Sequence, residues 1–171
     1  LMIRIDNISD VFNKKKGFCT SELSRDDYKL ILGLIEKHFE KLIKKSIIKK
    51  EADIKLNNYH KFYKKINHSK IFTKRNRLLS KRDCKKIISK TQLFQHLKNT
   101  FGNFYITDEE NIGYSNIYWR CVRPKPFKDV GPFHKDKWFW DLGCGKIRNN
   151  HQRVKIWISI ISESKKLGFR Y

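Results

Sequence analysis

In Gly131-Pro-Phe-His134-Lys-Asp136-Lys-Trp-Phe-Trp140-Asp-Leu-Gly143, an imidazole and a carboxylate stand two residues apart in an aromatic-rich setting. On a β-strand, residues i and i+2 point to the same face. His134 and Asp136 would then converge on one metal ion, with Lys135 turned away. They supply two of the three donors of a facial 2-His-1-carboxylate iron site. The second histidine is the gap. A bland reading competes with this one: a hydrogen-bonded His–Asp pair at a strand end requires no metal.

The flanking residues extend the β reading. Asn103 to Thr107 and Ile117 to Val122 are rich in β-branched and aromatic residues, and Pro124 and Pro126 stop the second of these runs. Arg153 to Ile161 alternates Val154, Ile156, Ile158 and Ile160 against Lys155, Trp157, Ser159 and Ile161, as a strand with one apolar face does.

Upstream the period changes from two to between three and four. Ser24-Arg-Asp-Asp27 resembles a capping box with Asp in place of Glu. After it, Leu30, Ile31, Leu34, Ile35, His38, Phe39, Leu42 and Ile43 describe an amphipathic helix of about 24 residues. Lys49 to Arg77 is very basic and reads as helix followed by loop. Ser80-Lys-Arg-Asp83 is a second cap signal, followed by a short apolar face of Cys84, Ile87 and Ile88. Thr91 caps a further helix with Leu93, Phe94, Leu97 and Phe101 inward, ending at Gly102.

The expected organisation is one domain over residues 1–171. Residues 1–102 form a mainly helical, basic part, and residues 103–171 a β-rich part carrying the His-x-Asp motif. The expected class is α+β, with N-terminal helices packed on a partial double-stranded β-helix of the jelly-roll or cupin-like kind. A jelly roll needs about eight strands, and the sequence offers about half that number. The barrel is therefore expected to be incomplete, in a chain shortened from a longer protein or in a non-catalytic relative.

Composition bounds the function classes. The chain has 171 residues and a formal net charge of +22, from 39 Lys and Arg against 17 Asp and Glu. Such a charge invites a polyanion partner. However, 29 of the cations are Lys and only 10 are Arg, alongside 21 Ile, 12 Asn and a single Ala, Ala52. That is the drift expected of an AT-rich coding sequence, and Arg, the better phosphate and base reader, is the scarcer cation. Residues 1–100 carry 26 Lys and Arg against 10 Asp and Glu, a net of +16. Residues 101–171 carry 13 against 7, a net of +6, so the basic excess lies away from the motif. Cys19, Cys84, Cys121 and Cys144 form no CxxC pair, and free thiols in a reducing compartment are expected. No apolar run is long enough for a membrane span and no signal-peptide pattern opens the chain, so a cytoplasmic location is expected.

The order of the Leu79-Ser-Lys-Arg-Asp83 helix, Phe101-Gly-Asn-Phe, Trp119-Arg-Cys-Val-Arg-Pro124, Gly131-Pro-Phe-His-Lys-Asp136 and Lys155-Ile-Trp-Ile158 resembles the phytanoyl-CoA dioxygenase-like group of Fe(II)/2-oxoglutarate-dependent oxygenases. The likeness covers roughly residues 78–171. It implies Fe(II) and 2-oxoglutarate as cofactors and hydroxylation of a small organic substrate. It implies His134 and Asp136 as metal ligands and Trp157 as an aromatic lining the 2-oxoglutarate pocket. The distal histidine ligand and the carboxylate-binding arginine of the family have no counterpart here. His151 is the only histidine after Asp136, and Arg170 is the arginine nearest the end of the chain.

Other residues keep two readings. Arg120 and Arg123 lie on one strand and would meet 2-oxoglutarate or an anionic substrate, or pair with Asp108, Glu109 or Glu110. Trp119 and Trp157 are either core or cofactor-lining. The lysine runs are solvated faces, or they form a nucleic-acid or polyanion patch interleaved with Tyr59, Phe62, Tyr63 and Phe72.

Overall fold

The computed structural model describes residues 20–46, 53–123, 129, 131, 136–143, 150–151 and 153–162. The helical half agrees with expectation. Helix α1 runs Arg25–Ser46 and buries Ile31, Leu34, Ile35, Phe39 and Ile43, the 3-and-4 spacing that places them on one face. Ser24 caps it by accepting the Asp27 amide at 3.2 Å. The Asp27 carboxylate does not return to the cap. It is buried and accepts the Gln92 and Leu93 amides at 2.9 and 2.8 Å. These amides are orphan donors at the start of another helix, so one acid ties the two helices together.

The basic stretch before residue 78 is a chain of short turns rather than one helix and a loop. A 3-10 helix, Tyr59–Lys65, is followed by the single α turn α2, His68–Ile71, and a 3-10 turn, Arg75–Arg77. Asn67 caps α2 by accepting the Lys70 amide at 3.1 Å. Helix α3, Lys81–Lys90, starts at Ser80, whose hydroxyl accepts the Asp83 amide at 3.2 Å and donates to its carboxylate at 2.7 Å. Helix α4, Gln92–Phe101, starts at Thr91 and ends at Gly102, whose φ of +67° suits glycine. Helices α1, α3 and α4 pack on one another, and α2 lies against α1.

The core gathers around Phe39, which is fully buried. Its ring lies 5.7 Å from Tyr59, 6.2 Å from Phe72 and 6.4 Å from Trp119, centroid to centroid. The edge-on Phe39–Tyr59 and Phe39–Trp119 contacts are a favoured aromatic geometry.

The β expectation fails. The described residues are mainly helical and contain no β-strand, so no double-stranded β-helix, jelly roll or cupin-like barrel is present among them. Ladder pairing is confined to one isolated antiparallel bridge, Leu78↔Tyr118, flanked by Leu79 N–H donating to Ile117 O at 3.0 Å and Trp119 N–H donating to Arg77 O at 2.9 Å. Residues 104–107 and 116–119 meet through Asn116 N–H donating to Thr107 O at 2.9 Å. Asp108 organises the loop between them, accepting the Ile112 and Gly113 amides at 3.0 and 2.7 Å. Residues 153–161 have the alternating pattern of a strand, but no strand is assigned to them among the described residues. Val154, Ile156, Trp157 and Ile161 are exposed. β-propensity describes how a side chain suits a half-buried pleated surface, so the alternation alone does not make a strand.

The picture of a cupin-like barrel built around a metal is corrected with it. Among the described residues, no group of three or more His, Cys, Asp and Glu side chains is placed to hold a metal ion. No described helix is long and apolar enough to cross a membrane.

Candidate functional site

His134 lies outside the described residues. Asp136 opens a short helix, α5, Asp136–Asp141, and its side chain lies outside the description. The motif therefore does not continue as a strand. In a helix, residues two apart point to nearly opposite sides, so the shared face inferred for His134 and Asp136 is lost from Asp136 onward. Trp157 is half exposed. His151 is exposed and its ring lies 6.0 Å from that of Tyr105. Trp119, by contrast, is core, with its ring 5.5 Å from Phe72.

Both arginines of the 117–123 run reach Asp129. Arg123 forks onto Asp129, with Nη2 to Oδ1 at 2.6 Å and Nε to Oδ2 at 2.9 Å, and its own amide donates to Oδ2 at 2.7 Å. This bidentate geometry is the strong form of a carboxylate–guanidinium pair. Arg120 Nη2 donates to the Asp129 carbonyl at 3.3 Å. Asp129 thus clamps the chain on both sides of Pro124 and Pro126.

The clamp reaches the helical half through His68. Asp129 Oδ2 lies 3.5 Å from His68 Nε2, and His68 Nδ1 lies 2.6 Å from Tyr59 Oη. Burial holds His68 below its ordinary value, outweighing the pull of Asp129 in the other direction. A neutral ring satisfies both neighbours in one tautomer: Nε2–H faces the Asp129 carboxylate and Nδ1 accepts the Tyr59 hydroxyl proton. The hydrogen bonds from Arg123 hold Asp129 below the usual carboxylate range. Burial pushes the Tyr59 phenol above its usual value and the Cys121 thiol up to about 12.

Chemically this row of Tyr59, His68, Asp129 and Arg123 is a latch. Tyr59 and His68 are buried, the imidazole has both nitrogens engaged, and the neighbouring thiol is far from a thiolate, so no nucleophile is activated there. What the latch does is hold the chain at Asp129, five residues before His134, against the α2 region. Sequence reasoning missed Tyr59, His68 and Asp129 in this role. The available signal was an Arg and an Asp bracketing two prolines, where a tight excursion brings its ends together.

No protein-family model, curated protein or solved structure matches this chain.

Proposed function

We propose that this chain carries the ligand-bearing segment of a non-haem Fe(II)/2-oxoglutarate-dependent oxygenase, with His134 and Asp136 as two of the iron ligands. The donor chemistry suits Fe(II): one imidazole nitrogen and one hard carboxylate oxygen. Iron held there would supply oxygen activation for hydroxylating a small organic substrate, with 2-oxoglutarate as co-substrate. The sequence holds no counterpart of the family's distal histidine, so affinity for iron in the chain as it stands is expected to be weak.

The observation that carries the reading is the latch. Asp129, five residues before His134, is held by a bidentate ion pair with Arg123 and faces a neutral histidine. Such support is what a ligand segment needs, because a donor set works only when its orientation is held. The test is an anaerobic titration with Fe(II), or with Co(II) as a spectroscopic probe, of the parent chain and of His134→Ala and Asp136→Ala. Weak binding that both substitutions abolish supports the proposal. Binding indifferent to both substitutions contradicts it.

A second reading has its own observation. Lys37, Lys41, Lys44 and Lys45 on α1 and Lys81, Lys85, Lys86 and Lys90 on α3 are exposed, and none has a carboxylate within ion-pair distance among the described residues. The two helices pack together, so these cations belong to neighbouring elements. A polyanion-binding role predicts oligonucleotide affinity that falls steeply with salt. Affinity unchanged between low and physiological salt rules that role out.

A further inference from the structure

Helices α3 and α4 are joined by Thr91 alone and pack on each other. Lys81, Arg82, Lys85, Lys86 and Lys90 of α3 are all exposed, as is Lys98 of α4. Asp83 is the one acid of the pair, and it is turned to its own helix start. Its carboxylate accepts from the Ser80 hydroxyl at 2.7 Å, and its side chain is only 15% exposed. Arg82 lies 3.5 Å from it. The four lysines of α3 have no carboxylate within ion-pair distance among the described residues.

This face is electrostatically frustrated. Lys81 and Lys85, Arg82 and Lys86, and Lys86 and Lys90 stand four residues apart, where like charges repel across one turn. Lys81 and Arg82 also occupy the first turn, whose unpaired amides favour acids. Helix α1 differs. Exposed Glu36 and Glu40 stand among its lysines, and Glu40 precedes Lys44 by four residues, the favourable order. A general rise in lysine would load both helices alike, yet of the two only α3 is left without an exposed acid.

The chemistry of the face selects its partner. Helix α3 spans about 15 Å, and its lysines are compact point charges suited to phosphate oxygens. Cys84 and Ile87 are buried in the core, and no large apolar side chain of α3 or α4 is exposed. A helix lying on a membrane surface needs such side chains to insert. Resting on the polyanion reading above, we propose that the outer face of α3 binds the sugar-phosphate backbone of nucleic acid through Lys81, Arg82, Lys85, Lys86 and Lys90. Contacts to phosphate position the chain without reading base sequence. A duplex carries one charge per about 1.7 Å and releases condensed counterions to such a face, which gives it the advantage over sparser polyanions.

The test is fluorescence anisotropy of a labelled DNA duplex of about 20 base pairs, titrated with the whole chain between about 50 and 200 mM salt. Five phosphate contacts predict a slope of log affinity against log salt of about −4.5. Lys85→Gln with Lys86→Gln should weaken binding about tenfold or more at the lower salt and make the slope shallower by about two. Lys44→Gln with Lys45→Gln removes the same charge from α1 and should change affinity by less than about threefold. A duplex of unrelated sequence should bind equally well. Glutamine matches lysine in helix propensity and all four positions are exposed, so both variants should fold. The proposal is overturned if the two double variants lose affinity equally, if the α3 variant loses none, or if affinity follows base sequence. It is also overturned if phosphatidylserine vesicles or poly-glutamate of equal total charge displace the duplex as well as unlabelled duplex does. Steeply salt-dependent binding that only the α1 variant weakens keeps the polyanion reading and removes α3 from it, whereas no binding at the lower salt removes both.

Discussion

At the residue scale, two buried ionisable groups carry more than their positions suggest. Asp27 looks like the third residue of a capping box, yet its carboxylate serves the first turn of α4, 65 and 66 residues away in sequence. Asp27→Asn replaces one acceptor oxygen with a donor facing an amide donor. The expected cost is about 3 kcal/mol in urea unfolding, whereas Asp26→Ala on the exposed side should stay within ~0.5 kcal/mol. Equal effects of the two substitutions would contradict the long-range cap. The cap signals were legible because Ser24, Ser80 and Thr91 act locally. The partner of Asp27 was not legible, because nothing in the sequence near residue 27 points to residue 92.

His68 gives a pH dependence with a definite sign. Its value is lowered in the folded chain, so folding favours the neutral ring. That contribution is complete above the unfolded value of about 6.5 and is lost as pH falls below it. Asp129 is also lowered, and its contribution is present above the ordinary carboxylate range and is lost at more acidic pH. Stability should therefore begin to fall just below about pH 6.5 and fall further near pH 4. His38, also lowered by burial, adds to the first step. In His68→Gln the first step should shrink while the second remains. An unchanged profile would show that the ring titrates alike in both states.

At the element scale, helices were readable and strands were not. A helix closes its hydrogen bonds within itself, so the 3-and-4 spacing of Leu34, Ile35, Phe39 and Ile43 and a cap at Ser24 are nearly sufficient. A strand is completed by residues elsewhere in the chain, and the alternation of 153–161 cannot name them. The loop at 108–116 shows how local chemistry still decides extended regions. Asp108 gathers two amides and the Asn116 side chain at 3.1 Å, with Asn111 and Gly113 in the left-handed region at φ +53° and +80°. Asp108→Ala should lower stability by about 1–2 kcal/mol and speed amide exchange at Ile112 and Gly113. Unaltered exchange there would show that the glycine and asparagine geometry holds the loop unaided.

At the scale of the whole molecule, the buried apolar residues lie between Ile31 and Trp119, while the large exposed apolar side chains lie between Tyr105 and Ile161. Cooperative stability is therefore concentrated in the helical half. Phe39→Ala, which empties the meeting point of Tyr59, Phe72 and Trp119, should cost about 3–5 kcal/mol or prevent folding. Hydrogen exchange should show stronger protection in α1, α3 and α4, whose amides are bonded within helices, than in residues 153–162, where no strand is assigned among the described residues. Protection of 153–162 equal to that of α1 would mean that the segment is paired in solution. The candidate site divides in the same way. The sequence offered His134 and Asp136 through a pattern two residues long, but it did not offer the latch, because Tyr59, His68 and Asp129 meet only after folding.

The central claim is that His134 and Asp136 are iron ligands, and anaerobic Co(II) titration followed by visible absorption tests it most directly. The account predicts a weak ligand-field spectrum in the parent chain that disappears in both His134→Ala and Asp136→Ala while folding is retained. A spectrum that persists in both variants, or no metal response in the parent chain at all, would contradict it.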